Sequence, residues 1–276
     1  MSEISFWDAA FLWRDPLIAA SLGALVCALA GVFVVLKRSA FVSAAVSQAS
    51  SLGVVLALLA PHLVGREVPP LAAGIAVGAA SAGLFTLSGR RGRIGVDATI
   101  ALAYVIAGAA SLVLGTFLTH EYEQVHSLLF GDAVAAPLEE IVALAICAAA
   151  ILAFYAAFFP RLVFASFDPE AARAMGLRVR RYDAALYFLL GLSIAVSTRA
   201  LGALTVFALT VIPASGGLLA FRRFPGVIAW AVGSALVAAV GGYYLSFVWS
   251  LPTGATIVLA LAGTLLLATV LGRVRR

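Results

Sequence analysis

Charged residues are scarce in this sequence. They make up 11% of the 276 residues, whereas hydrophobic residues make up 63%, and the mean hydropathy is +1.10. A soluble domain has about half of its residues apolar, and its core could not hide this excess. The composition therefore excludes an ordinary soluble protein and predicts that lipid is the solvent for most of the chain.

Cysteines and common catalytic motifs are also few. Cys27 and Cys147 each lie inside an apolar run, so we expect no disulfide framework. The sequence contains neither H-E-x-x-H nor G-x-x-x-x-G-K-[ST], the motifs of zinc metalloproteases and of P-loop nucleotide binding. We therefore expect that this chain is not an enzyme. If ATP drives its action, another chain must bind the nucleotide.

Nine apolar segments are long enough, at about 20 residues, to cross a membrane as helices. They cover roughly residues 16–36, 41–61, 68–88, 96–118, 137–159, 183–199, 201–221, 225–248 and 253–271. Two assignments are weaker: segment 41–61 is rich in serine, and in the region 183–221 only Arg199 separates two segments, which fits a tight turn or a broken helix. Totals of eight and ten are therefore also compatible. The sequence predicts an all-α polytopic membrane bundle that forms one domain over residues 1–276.

The basic residues predict the orientation of this bundle. With the N-terminus outside, fifteen of the eighteen Lys and Arg residues fall in cytoplasmic segments, and only Arg14, Arg66 and Arg199 fall outside. Cytoplasmic loops of membrane proteins carry such an excess, so we expect the C-terminus in the cytoplasm. The same excess of basic residues in cytoplasmic segments accounts for the net charge of +5, so a nucleic-acid partner is not needed to explain it. The span interiors hold almost no ionisable side chains, which argues against a proton relay.

One charged stretch, FDPEAARAMGLRVRRYD from Phe167, interrupts the apolar sequence on the predicted cytoplasmic side. It predicts a short helix: Asp168 can cap the N-terminus, Pro169 suits the first turn, and Glu170 favours the positive end of the helix dipole. Gly176 supplies the stop. Such a helix could be gripped by a soluble partner, or it could be part of a solvated loop.

Five longer motifs and this helix resemble one family, the permeases of manganese, zinc and iron ABC importers. EAARAMG is similar to the start of the coupling-helix motif of importer permeases. The other motifs, in family order over roughly residues 16–271, are GVFVVLKRSAFVSAAVSQASSLGVVLAL from Gly31, DATIALAYVIAGAASLVLG from Asp97, HSLLFGDAVAAPLEEIVAL from His126, RALGALTVFALTVIPASGGLL from Arg199 and YYLSFVWSLPTGATIVLA from Tyr243.

The resemblance implies a permease homodimer in the bacterial cytoplasmic membrane. Two ATPase subunits would hold ATP and Mg²⁺, an extracytoplasmic binding protein would deliver a divalent metal, and the permease itself would bind no cofactor. The implied ATPase contacts are Asp168, Glu170, Ala171 and Gly176. We expect an ATP-driven metal importer, with zinc favoured over manganese and iron. The alternatives are a permease with a changed substrate, such as a metal chelate, and a non-transporting membrane scaffold.

The chain departs from the family in the second span. Members typically have Gly-Asp-Ala-Leu-Ser-His there, whereas this chain has Ala44 in place of the Asp and Gln48 in place of the His. Near the end, Ser250 replaces the usual Asp before Leu-Pro. Amide and hydroxyl groups bind Zn²⁺ or Mn²⁺ less well than carboxylate and imidazole. Either a polar cavity with Gln48, Ser47 and Ser43 conducts the metal through weaker oxygen ligands, or the substrate is not a bare ion.

Two further patterns have competing explanations. Ser39, Ser43, Ser47 and Ser51 recur every four residues, which predicts a polar stripe on one helix face but also suits close helix packing. The outer loop THEYEQVHSLLFGD from Thr119 offers metal-capable side chains, which include His120, Glu123 and His126. Their spacing matches no strong ligand motif, so a contact surface for the binding protein is favoured over a metal relay.

Overall fold

The computed structural model describes residues 10–88, 95–118 and 137–274, and within these ranges the chain is helical without strands. The helices are α1 (Ala10–Leu36), α2 (Ala40–Val64), α3 (Pro70–Ser88), α4 (Val96–Gly115), α5 (Leu138–Phe167), α6 (Pro169–Ala174), α7 (Val179–Leu201), α8 (Ala203–Ala220), α9 (Phe224–Trp249) and α10 (Thr253–Val274). The predicted all-α fold is confirmed.

Eight of the described helices are long and apolar enough to cross a membrane. In α3, the apolar stretch Pro70–Phe85 is shorter than a full span. The count of eight lies within the predicted range of eight to ten. The serine-rich segment 41–61 falls within α2, so its serines do not prevent a long helix.

The chain reverses direction between α7 and α8. Gly202 separates the two helices with φ +80, a backbone conformation that favours glycine. A Cβ atom on Gly23 of α1 would meet the Leu201 side chain, and one on Gly31, two turns further along α1, would meet the Thr210 backbone. Asp183 near the start of α7 pairs with Lys37 just after α1, so α7 runs antiparallel to α1 as far as Leu201, and α8 then runs back parallel to α1. Of the two arrangements expected for the region 183–221, this is the tight turn.

Small side chains let the helices pack closely around α1, as the sequence predicts. Ala20, Ala24 and Ala28 of α1 are fully buried in the main core cluster. The contact between Gly31 and the Thr210 backbone brings the main chains of α1 and α8 together without a side chain between them. Close backbone approach at small residues stabilises helix pairs in lipid.

Two ion pairs mark the opposite ends of α7. Asp183 in its first turns pairs with Lys37 after α1, and Arg199 in its last turn pairs with Glu140 in the first turn of α5. Asp183 and Arg199 are sixteen positions apart, which corresponds to about 24 Å of helix. The end of α1 thus shares one end of the bundle with the start of α7, and the start of α5 shares the other end with the end of α7. The alternating threading requires this arrangement.

Candidate functional site

A cavity of about 390 Å³ lies between α2, α4 and α8. Its lining includes Ser47 and Gln48 of α2, Tyr104 and Gly108 of α4, and Leu204 and Phe207 of α8. The walls are mainly apolar because α4 and α8 contribute aliphatic and aromatic side chains. The polar cavity that the sequence predicts around Gln48 stays a prediction, because the predicted site lies between two copies of the chain.

Gln48 is the most polar group of this cavity. Its side chain is half-buried, and Oε1 is buried with no hydrogen-bond partner among the residues that the structure describes. Gly108 faces this oxygen, since a Cβ atom built there would lie 3.3 Å from Oε1. The absence of a side chain at position 108 therefore lets the unsatisfied Gln48 amide lie directly against the main chain of α4. A buried acceptor without a partner is costly in a protein interior.

Two of the four serines in the predicted stripe use their hydroxyl groups within their own helix, whereas Ser51 Oγ is buried without a partner among the described residues. Ser43 donates to the Ala40 carbonyl at 2.6 Å and Ser47 donates to the Ala44 carbonyl at 2.8 Å. Both side chains are buried. Ser47 lines the cavity beside Gln48, whereas Ser43 is not part of that lining. The contribution of Ser43, Ser47 and Gln48 to a metal path stays a prediction.

The positions where family ligands are replaced lie apart in the fold. Ala44 is buried one turn before Gln48, whereas Ser250 follows the end of α9 with φ +51 and is exposed. Within the described ranges no three His, Cys, Asp or Glu side chains come together as a metal site. The predicted binding-protein contacts His120, Glu123 and His126 lie outside the described residues.

The predicted short helix is present as α6. The Asp168 carboxylate accepts a hydrogen bond from the Ala171 backbone N–H at 2.9 Å, and Pro169 occupies the first turn. Gly176 follows the helix with φ +82. Asp168 is thus confirmed as the N-cap and Gly176 as the left-handed stop, because both features depend on residues close in sequence.

Helix α6 presents one face outward and anchors the other. Ala172 is fully buried and packs with Ala165 of α5 and Val179 of α7. Glu170 and Gly176 are exposed, and Ala171 is half-buried. Helix α6 is therefore a short rigid element that packs against α5 and α7 on one side and exposes its charged side chains on the other.

A second cavity, of about 720 Å³, joins α6 to the turn between α1 and α2. Its charged lining consists of Arg38, Asp97, Arg173, Arg180 and Asp183. Beside it, the Tyr187 hydroxyl donates to the Ser39 hydroxyl at 3.0 Å, and Asp183 pairs with Lys37. We call these two contacts the α1–α7 latch. Sequence reasoning placed Lys37 and Asp183 near the same membrane face but did not pair them.

Comparison with known proteins agrees with this fold. The sequence profile of the ABC 3 transport family matches residues 10–272. The chain belongs to this family. This match confirms the predicted resemblance to metal ABC permeases. It also confirms the prediction that the chain is a multi-pass membrane protein.

Relatives of this ABC 3 protein are similar along most of their length. It is 26% identical over 265 residues to the manganese transport system membrane protein MntC of Halalkalibacterium halodurans. The aligned region covers 94% of this chain and 88% of the relative. It is 24% identical over 238 residues to the high-affinity zinc uptake system membrane protein ZnuB of Haemophilus influenzae, which covers 86% and 89%. The structure of PsaBC from Streptococcus pneumoniae in complex with Fab matches 95% of this chain and 94% of that chain, with a TM-score of 0.83 and 24% identity. That likeness shows the shared fold.

Proposed function

We propose that this chain is the permease subunit of an ATP-driven importer of a divalent metal, with zinc as the first candidate and manganese and iron as alternatives. The observation that carries the proposal is the family match over residues 10–272. Relatives named for manganese and for zinc transport support the substrate class. The cavity between α2, α4 and α8 is the proposed translocation site, because it holds an unsatisfied polar group between long membrane helices.

The proposed assembly is a homodimer in the bacterial cytoplasmic membrane with its N-terminus outside. Each copy binds one ATPase subunit, which holds ATP and Mg²⁺, and an extracytoplasmic binding protein delivers the metal. The outward face of α4 supports a partner copy, because large apolar side chains such as Ile106 and Val113 are 64% and 60% exposed there. The same face would otherwise contact lipid.

The proposed coupling begins at α6. When the ATPases close on ATP, they displace the exposed side of α6, which contains Glu170. Because Ala172 packs between α5 and α7, the displacement passes to α7. The α1–α7 latch then carries it to the turn before α2, and α2 holds Gln48. Chains of packed side chains and ion pairs of this kind carry energetic coupling between distant sites.

The test is metal uptake and ATPase activity of the complete transporter in sealed vesicles. In the double variant Glu170→Arg and Gly176→Lys, we expect transport to be abolished while membrane insertion is retained, since both positions are exposed at the end of the bundle that holds α6. The matched control is Glu139→Arg, which also reverses an exposed acidic residue in a first helical turn, but at the other end of the bundle.

Each result bears on a different part of the proposal. Normal transport and ATPase binding by the double variant would remove α6 as the coupling element. A wild-type complex without metal-dependent uptake or ATPase stimulation would contradict the importer and favour a membrane scaffold.

A further inference from the structure

The donor atoms around the Gln48 cavity are too few and too weak for a bare divalent ion. Its polar lining consists of the Gln48 amide, the Tyr104 phenol and the Ser47 hydroxyl, and the last already donates to the Ala44 carbonyl. Zn²⁺ takes about four ligands, mainly thiolate, imidazole or carboxylate, and hard cations take about six or more oxygen atoms. Among the described residues, the lining of this cavity contains none of the three preferred groups.

A second copy of the chain would not repair this deficit at a symmetric contact. If the same patch meets itself across a two-fold axis, it brings the same amide, phenol and hydroxyl groups. An ion stripped of its water would then face apolar walls formed by Val105, Leu112, Leu204 and Phe207. Moving an unpaired charge from water into such surroundings is strongly unfavourable.

The size and chemistry of the cavity fit an organic ligand. Its volume of about 390 Å³ lies within the range of about 300–1,000 Å³ typical of small-molecule sites, which have mostly apolar walls and a few placed polar groups. One water occupies only about 30 Å³. The buried Oε1 of Gln48 lacks a hydrogen-bond partner among the described residues, and an N–H or O–H donor on such a ligand would supply it.

We infer that the Gln48 cavity takes its metal as a complex, in which organic donor atoms already surround the cation, and not as a bare divalent ion. This inference rests on the proposed function and specifies the form of its substrate. Gln48 selects the complex by a hydrogen bond to its organic part. Gly108 adds no side chain to the cavity beside this amide.

The test supplies the complete transporter in vesicles with radioactive Zn²⁺, either bare or as its complexes with histidine and with citrate. We expect ATP-dependent uptake of a complex to exceed that of the bare ion at least tenfold at equal total zinc, with labelled chelator entering alongside the metal. Gly108→Leu, which fills the cavity beside Oε1, should lower this uptake at least tenfold. Gly263→Leu is the control, because a Cβ atom at position 263 meets open space.

The outcomes separate the inference from the proposed function. Uptake of bare Zn²⁺ equal to or above that of both complexes, or entry of zinc without chelator, overturns the inference and leaves the importer in place. Complex uptake that Gly108→Leu does not reduce, although the variant assembles normally, also overturns the assignment of this cavity. If the wild-type complex takes up zinc in no form, the proposed function fails, and the inference fails with it.

Discussion

At the scale of single residues, Gly31 shows how closely two helices of this bundle approach. It is fully buried in α1, and a Cβ atom there would overlap the Thr210 backbone of α8. A main chain cannot move aside as a flexible side chain can. Gly233 of α9 provides a matched contrast, since a Cβ atom at that position has no neighbour within 4 Å.

We therefore expect Gly31→Ala to destabilise the protein by about 1–3 kcal/mol or more, the usual cost of overpacking a core. Gly233→Ala should be neutral or stabilising by up to about 1 kcal/mol, because alanine is the better helix former. Thermal unfolding of the two purified variants in the same detergent measures the difference. An equal midpoint for both would show that the α1–α8 contact does not limit packing.

Local and distant interactions differ in how well the sequence predicts them. The Asp168 cap was predictable because its donor, Ala171, is three residues away. The partners in the ion pairs Lys37–Asp183 and Glu140–Arg199 are 146 and 59 positions apart, and no local pattern indicates such a pairing. The serine stripe was predictable as a helix face, but whether its hydroxyl groups bind a substrate or their own backbone depends on the packing around α2.

At the scale of elements, the α1–α7 latch connects α7, which packs against α6, to the turn before α2. Asp183 lies four residues after the start of α7, and its partner Lys37 directly follows α1. The Lys37 side chain is 14% exposed and the Asp183 side chain 37%, so solvent screens the pair only in part. The latch holds the α1–α2 turn beside α6. Both line the cavity of about 720 Å³, and α6 does so through Pro169 and Arg173.

Reversing one charge of the latch should weaken coupling more than folding. For Lys37→Asp we expect the ratio of metal taken up to ATP hydrolysed to fall about fivefold, because a partly exposed pair is worth up to about 1 kcal/mol. The double reversal Lys37→Asp with Asp183→Lys should restore most of this ratio. Arg180→Gln, which removes an exposed charge from the same cavity, is the control. A double variant no better than Lys37→Asp would mean that the pair does not transmit the movement.

At the scale of the whole molecule, the apolar segments predicted the helices well because lipid requires spans of similar length. They predicted less about the order of packing, since an apolar helix surface does not indicate which neighbour it meets. The tight turn at Gly202 illustrates this limit: the sequence allowed either a turn or a broken helix, and only distant contacts distinguish them, namely the Lys37–Asp183 pair and the contacts of Leu201 and Thr210 with α1.

The orientation of the bundle is a prediction from charge, and it can be measured on the intact protein. Both native cysteines are buried, so a membrane-impermeant thiol reagent should label only introduced ones. Glu67 between α2 and α3 and Ala174 at the end of α6 are both exposed. The charge bias places Glu67 outside and Ala174 in the cytoplasm.

We expect Glu67→Cys to be labelled in intact cells and Ala174→Cys only after the membrane is made permeable. The unmodified chain is the control for background labelling, and a reporter fused after Arg276 should independently indicate the cytoplasm. The physical reason is that moving the many arginines near α6 and after α10 to the outer face would reverse the bias that sets orientation during insertion. Labelling of Ala174→Cys in intact cells, with Glu67→Cys protected, would invert the bundle and place α6 out of reach of any cytoplasmic ATPase.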